Sequence, residues 1–252
     1  METVNTLAVI PARLKSIRLP EKPLLKLRGK ELVLWVLDGV RSSRKVDKVV
    51  VATDNERVAA VVESAGGIAM LTPADLPTGS DRVAFVARAI PSRFVLNVQG
   101  DDPLVTASVI DPMIDVLESD ENVCLAVLAK KIDKPDEIDR DSIVKMVFDT
   151  DYRAIYFSRS RIPYERNPGM YPVKYYKHIG PYAWRRDALF EFASCGQTPL
   201  EQAESLEMLR LLERGRTIRC IETEQDSVEI DTPDDVRLFE KFYDDMKIKE
   251  GR

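Results

Sequence analysis

Short apolar runs alternate along the chain with stretches whose apolar residues recur every three or four positions. Leu7, Ala8, Val9 and Ile10 form one continuous run that ends at Pro11, as a buried strand does. Residues 31–42 place Leu32, Leu34, Trp35, Leu37 and Val40 at helical spacing. A second strand is predicted over 48–52, ending at Thr53 and Asp54. Asp54 or Asn55 can cap the next helix, which carries Val58, Val61 and Val62 and stops near Gly66-Gly67. Residues 68–71 predict a strand and 82–90 a helix. Residues 94–98 predict a further strand, broken at Gln99-Gly100-Asp101-Asp102-Pro103.

This alternation argues for an α/β fold with a mostly parallel central sheet and helices on both faces. Such sheets bind ligands at the carboxyl ends of their strands, so the loops after Ile10, Ala52 and Val98 matter most. The pattern changes near Val123. Residues 123–129, 143–148 and 153–157 read as strands without intervening helices, a more antiparallel section. A loop rich in Pro, Tyr and Arg follows over 163–172. Residues 200–214 then predict one amphipathic helix with Leu206, Leu209 and Leu212 on a single face. Residues 217–221 return as a strand. Asp231-Thr232-Pro233-Asp234-Asp235 reads as a helix start, with Asp or Thr as N-cap and Pro in the first turn.

Composition narrows the class. The chain has 252 residues, 44% hydrophobic and 31% charged, which suits a soluble globular protein with a full core. The net charge of -5 argues against a general nucleic-acid binder. Cys124, Cys195 and Cys220 stand far apart, so neither a zinc site nor a disulfide framework is expected. The apolar stretch at 32–37 is far short of the roughly 20 residues that span a bilayer. The first five residues lack the basic segment of a signal peptide, and a cytosolic location is expected.

Four constellations are candidates for chemistry. The loop from Pro11 to Lys22 carries Arg13, Lys15, Arg18 and Lys22 against one acid, Glu21. At the edge of a parallel sheet it can hold a triphosphate, although solvated charged loops are common. The segment from Asn97 to Pro103 places Asp101 and Asp102 at a strand end. There they can bind Mg²⁺ or simply make a turn. Asp231 can cap a helix or, if folding brings it beside Asp101, complete a metal-clamped transfer site. His178 is the only histidine, which excludes a multi-histidine metal site and favours a structural or hydrogen-bonding role. Arg159, Glu201, Glu204 and Glu207 are surface charges or ligands for a polar substrate. Glu204 and Glu207, at i,i+3 in the predicted helix, share a face.

In order, these segments resemble the 3-deoxy-manno-octulosonate cytidylyltransferase (CMP-Kdo synthetase) family across nearly the whole chain. The resemblance rests on Pro11-Ala12-Arg13, Arg18-Leu19-Pro20, Lys22-Pro23-Leu24 and Val51-Ala52-Thr53-Asp54. It continues through Thr78-Gly79-Ser80-Asp81-Arg82, Asn97-Val98-Gln99-Gly100-Asp101 and Tyr156-Phe157-Ser158-Arg159-Ser160, then His178-Ile179-Gly180 with Tyr182. Pro199-Leu200-Glu201, Glu204-Ser205-Leu206-Glu207 and Asp231-Thr232-Pro233 complete it. It implies a Rossmann-like nucleotidyltransferase fold in one domain. The nucleotide-binding core would span about 1–122 and 217–252, and a sugar-binding and dimerisation section about 123–216. It implies transfer of CMP from CTP to Kdo for lipopolysaccharide synthesis, with Mg²⁺, in a homodimer that binds neither nucleic acid nor membrane.

By the same resemblance, Arg13 and Lys22 hold the triphosphate with Ser16 and Arg18 nearby. Pro11, Ala12, Thr78 and Gly79 frame the cytosine. Asp101 and Asp231 hold Mg²⁺. Arg82, Gln99, Arg159, His178, Tyr182, Glu204 and Glu207 line the sugar pocket. Five positions depart from the family pattern: Ile17 for a hydroxyl residue, Glu21 for Gly, Pro181 for an aliphatic, Trp184 for Tyr and Met208 for Gln. Three of them fall in or beside the sugar half. A related ulosonic acid such as 8-amino-Kdo therefore stands as an alternative substrate, and a nucleotide-sugar protein that binds without turnover as an alternative of another class.

Overall fold

A computed structural model describes residues 3–14, 19–76 and 78–250, of which 246–250 are described as helical backbone only. The chain divides into two compact units, Met1–Ile110 with Ser227–Arg252, and Asp111–Asp226. The sequence pattern changes near 122 and 217, whereas the units divide at 110 and 226.

The first unit opens with β1 (Val4–Pro11), a short hairpin of β2 (Lys26–Leu27) and β3 (Lys30–Glu31), and α1 (Leu32–Arg41). It continues with β4 (Lys48–Thr53), α2 (Glu56–Ser64), β5 (Ala69–Leu71), α3 (Gly79–Ala89) and β6 (Ser92–Asn97). Strands β6, β1, β4 and β5 lie side by side in that order, each neighbouring pair parallel. Leu7, Ala8, Val9 and Ile10 are fully buried, as a parallel strand covered on both faces requires. The register sets Val9 opposite both Val50 and Asn97, so β1, β4 and β6 end along one edge. Leu32, Val33, Val36, Leu37 and Val40 form the buried stripe of α1. Full burial of each such side chain contributes on the order of 1.5–3 kcal/mol.

Local signals fix the helix starts. Asn55, not Asp54, caps α2, its side chain accepting from the Arg57 N–H at 2.9 Å. Helix α3 begins at Gly79, three residues before the apolar pattern suggests. Thr78 and Asp81 form a capping box there, which extends the helix past its hydrophobic stripe.

Helix α4 (Ala107–Ser119) leads into the second unit. There follow β7 (Val123–Lys131), β8 (Lys145–Phe148), β9 (Ala154–Ser158), β10 (Tyr176–Arg185) and α5 (Arg186–Ser194). Two short helices, α6 (Pro199–Glu204) and α7 (Met208–Glu213), precede β11 (Thr217–Thr223). Strand β7 pairs antiparallel with β10 and parallel with β11. Antiparallel pairs β10–β8 and β8–β9 complete the section, as the strands predicted over 123–157 led one to expect, and β11 beyond them adds a parallel neighbour to β7. The single helix predicted over 200–214 is two. Ser205 takes a left-handed backbone conformation (φ 54°) and ends α6. Glu204 and Glu207 therefore do not share one helix face.

The chain returns to the first unit with α8 (Pro233–Glu250). Phe239 of α8 packs with Leu27, Leu32, Leu104 and Ile230, and its ring meets Trp35 edge-on at 5.5 Å. That cluster seats the start of α8 beside the loop that follows β6. Among the described residues, no helix is long and apolar enough to cross a membrane.

Candidate active site

Among the described residues, the first unit gathers the predicted nucleotide-side residues at the carboxyl ends of β1, β4 and β6. Pro11 ends β1 and Ala12 N–H donates to the Ala52 carbonyl at 2.8 Å. Arg13 is exposed, and next to it the Leu14 N–H donates to Asp54 at 3.2 Å, tying the loop to the end of β4. Ser16 and Arg18 lie outside the described residues. A Cβ on Gly79 would stand 3.7 Å from the Pro11 ring, so the N-terminus of α3 lies beside that loop. Helix N-termini attract anions. The Thr78 hydroxyl itself is engaged by Asp81.

Gly100 explains how the loop after β6 comes so close to β1. A Cβ there would meet the Pro11 carbonyl oxygen at 2.6 Å, which no side chain tolerates without movement. The Ile230 N–H donates to the Asp101 carbonyl at 2.9 Å, joining this loop to the segment before α8. Asp101 and Asp231, distant in sequence, thereby face one another across Lys22. The Lys22 ammonium donates to Asp101 Oδ2 at 2.6 Å and to Asp231 Oδ1 at 2.8 Å. Burial works against the charged lysine, but the two carboxylates outweigh it and raise its pKa above the ordinary value.

The two acids of the turn have different tasks. Asp102 is buried and accepts from Leu104 N–H at 3.1 Å and Ser227 Oγ at 2.8 Å, so it holds the turn. Burial raises its pKa. Asp231 does not cap α8. Thr232 takes that role, its Oγ1 accepting from the Asp235 N–H at 3.4 Å, while Asp235 closes a capping box by accepting from the N–H groups of Asp231 at 3.0 Å and Thr232 at 2.7 Å. Beside them Glu229, on the rim, has its carboxyl pushed up to about 7 by desolvation first and then by Asp101, Asp102 and Asp231.

Asp101 and Asp231 fit a divalent cation. Both oxygen donors converge on a single cationic atom, and Asp101 Oδ1 is buried with no partner among the described residues. Hard cations such as Mg²⁺ take oxygen ligands, often one or two carboxylates completed by phosphate and water. Among the described residues, no group of three or more His, Cys, Asp or Glu side chains could hold a metal unaided. A pair completed by substrate oxygens matches that donor set.

Glu21 precedes Lys22 in a left-handed conformation (φ 54°). Its carboxylate is turned onto Arg57 of α2, the second contact at 3.0 Å, and this partner lowers its pKa. The acid that departs from the family pattern is therefore neutralised locally. Arg82 and Gln99 complete the first unit's contribution. Arg82 is fully buried and donates to Thr72 through one amino group, while its Nε and Nη2 lack partners among the described residues. Burial, then Arg13 against the opposing pull of Asp54, draws its pKa down. Gln99 Oε1 is likewise buried and unpartnered among the described residues. Orphaned donors and acceptors of this kind are costly unless a ligand satisfies them.

The second unit carries Arg159, His178, Tyr182, Glu204 and Glu207. His178 lies on β10, its ring edge-on to Phe157 at 5.7 Å and tilted against Tyr182 at 5.2 Å. Its Nε2 is buried without a partner among the described residues, and burial pushes its pKa down to about 4. The imidazole is neutral at pH 7 and can exchange one hydrogen bond with a ligand. Glu204 accepts from Ser158 Oγ at 2.6 Å and from the Arg159 N–H at 2.9 Å, so both carboxylate oxygens bind the end of β9. Glu207 stands in the break between α6 and α7. Pro181 falls where the register of β10 on β7 shifts, between Ile179 and Tyr182. A residue without an N–H suits such a bulge. Met208 and Trp184 are buried in the unit's core.

Sequence reasoning passes over Asp54 as a loop anchor, Ser227 as the partner of Asp102, and Lys145. The last had a signal: a lone lysine among Ile143, Val144, Met146 and Val147.

The cytidylyltransferase family matches residues 7–218. A 3-deoxy-manno-octulosonate cytidylyltransferase of Chloroherpeton thalassium is 45% identical over 237 residues, covering 92% of this chain and 95% of the relative. A solved structure of CMP:2-keto-3-deoxy-manno-octonic acid synthetase complexed with CTP has a TM-score of 0.91 at 35% identity. It covers 96% of this chain and 99% of its own. The 4-diphosphocytidyl-2C-methyl-D-erythritol synthase of Anaerococcus prevotii shares the fold alone, with a TM-score of 0.65, 14% identity and 96% coverage of each chain. With its carboxylate pair, its lysine and its β1 loop at one sheet edge, the chain belongs to the 3-deoxy-manno-octulosonate cytidylyltransferase family.

Proposed function

We propose that the protein transfers CMP from CTP to 3-deoxy-D-manno-octulosonate (Kdo), giving CMP-Kdo and pyrophosphate. The observation that carries this reading is the convergence of Lys22, Asp101 and Asp231 at the carboxyl edge of a parallel sheet. The relatives' names supply the substrate.

In this reaction the anomeric hydroxyl oxygen of Kdo attacks the α-phosphorus, the bond to the bridging oxygen breaks, and pyrophosphate leaves. The hydroxyl proton passes to solvent. Both reactants are anions, so cations must offset their repulsion. Arg13 and Lys22 hold the triphosphate and stabilise the leaving pyrophosphate, with Ser16 and Arg18 assisting. The N-terminus of α3, with Thr78 and Gly79, and the Pro11-Ala12 edge receive the cytosine. Asp101 and Asp231 hold the divalent cation, which we take to be Mg²⁺. When bound, it neutralises phosphate charge and lowers the pKa of the attacking hydroxyl. No protein general base is required. His178, neutral at pH 7, hydrogen-bonds the sugar together with Arg82, Gln99, Arg159 and Tyr182. Glu204 acts on the sugar through Arg159, and Glu207 directly. The family resemblance also supports a homodimer in the cytoplasm.

The test is pyrophosphate release from CTP with Mg²⁺, comparing Kdo, 8-amino-Kdo and a sialic acid. Release with Kdo that vanishes in Asp101→Ala is expected. Release with another sugar alone would reassign the substrate, and none with any sugar would leave a binding protein.

A further inference from the structure

Lys145 opens β8, is fully buried in the second unit, and is not used by the chemistry above. Its ammonium donates to three main-chain carbonyls: Arg140 at 2.6 Å, Ile143 at 2.7 Å, and Arg159. An ammonium has three N–H donors, so the backbone takes all of them. None goes to a carboxylate. Burying a cation without an ion-pair partner is expensive, and carbonyl ligands only partly offset the cost. The arrangement makes sense where the backbone being held needs one fixed position.

Arg159 is what Lys145 holds. The Arg159 side chain is gripped on two sides, Nε donating to the Glu204 carbonyl at 2.8 Å and Nη1 to the Asp141 carbonyl at 3.0 Å. Asp141 sits inside the 140–143 turn whose two ends Lys145 binds. Glu204 in turn accepts from Ser158 and the Arg159 N–H. Lys145 thus ties together the main chain of Arg159 and the turn that anchors its guanidinium. Among the described residues nothing takes Nη2, which leaves that amino group for a ligand.

We propose that Lys145 is a positioning residue: by binding the 140–143 turn to the end of β9, it aims the Arg159 guanidinium at the carboxylate of the sugar acid. The inference rests on the assignment of Arg159 to the sugar made above. With Nε and Nη1 already held, the Arg159 guanidinium meets a carboxylate through Nη2, so the direction of the group matters as much as its charge.

Steady-state kinetics test this, with CTP and Kdo varied separately in the intact protein, Lys145→Met, Lys145→Gln, Arg159→Ala and the Lys145→Met/Arg159→Ala double variant. Lys145→Met is expected to raise KM for Kdo about tenfold while KM for CTP stays within about twofold. Lys145→Gln, which keeps two donors, falls between. With Arg159 already removed, Lys145→Met adds little, because the two act as one unit. If Arg159→Ala leaves KM for Kdo unchanged, the assignment of Arg159 fails. If Arg159→Ala raises it but Lys145→Met does not, or raises both KM values alike, the positioning role is overturned. Should Lys145→Met not fold, the Gln variant decides by the same split between Kdo and CTP.

Discussion

At the scale of the residue, charge placement does most of the work. Lys22 occupies the space between Asp101 and Asp231 that a divalent cation would need. On the reading proposed above, the ammonium competes with the metal in the free protein and binds phosphate once nucleotide arrives. Lys22→Met should cut turnover by about a hundredfold or more, the scale of a lost charge-stabilising donor. It should also raise the affinity of the nucleotide-free protein for Mn²⁺ by about tenfold, which corresponds to roughly 1.4 kcal/mol. A calorimetric Mn²⁺ titration showing unchanged or weaker binding in the variant would mean the lysine does not compete. His178 permits a second test. Its pKa, pushed down to about 4, contrasts with about 6.5 in an unfolded chain. Between those values the unfolded chain binds a proton that the folded one does not. Its contribution is thus fully present above about pH 6.5 and is lost as pH falls towards 4. At about 1.4 kcal/mol per unit the difference is worth about 3 kcal/mol. The gap in unfolding free energy between the protein and His178→Gln should shrink by that amount from pH 7 to 4. A constant gap would show a solvated ring.

At the scale of the element, sequence legibility follows from how local each signal is. Strands β1, β4 and β6 announce themselves because a strand buried on both faces is a plain apolar run. Strand β10 stays hidden because Pro181 interrupts it and Lys177 and His178 break its apolar pattern. The stretch over 200–214 keeps helical periodicity, yet Ser205 leaves the helix there. Nothing in the spacing of Leu206, Leu209 and Leu212 reveals a left-handed serine between them. Ser205→Gly should stabilise the protein by about 0.5–1 kcal/mol, since glycine adopts that conformation without a Cβ clash. A lower unfolding midpoint would refute this. The Gly100 turn is a stricter case. A Cβ 2.6 Å from the Pro11 carbonyl must push the loops apart. Gly100→Ala should cost about 1–3 kcal/mol as an overpacked contact. Because the shift would move Asp101, CMP transfer should fall in parallel, and retention of full activity would show that the loop yields elsewhere.

At the scale of the whole molecule, an acidic protein of net charge -5 must handle two anionic substrates. On the proposed assignment it does so with local cations, some of them buried in polar networks that motif spacing could not disclose. Lys22, Asp101 and Asp231 were each legible as candidates from their motifs, but the placement of the lysine between the two acids belongs to tertiary structure alone. That lysine separates folding from catalysis. With Lys22 already bonded to both carboxylates and offsetting one of their two charges, the fold does not depend on a metal at that position. A chelator should therefore abolish pyrophosphate release while leaving the thermal midpoint of the nucleotide-free protein within about 1 °C, since removing a ligand that is not bound changes nothing. Mg²⁺ with CTP at about a hundred times its dissociation constant should stabilise the protein by about 2.7 kcal/mol. For a chain of this size that is a rise of roughly 5–10 °C in Tm. Mg²⁺ alone should give a much smaller shift, because it must first displace the ammonium. A fall in Tm on chelation of the free protein would show instead that the carboxylate pair depends on the ion to fold. Lys22 would then be a phosphate ligand without a role in the resting state.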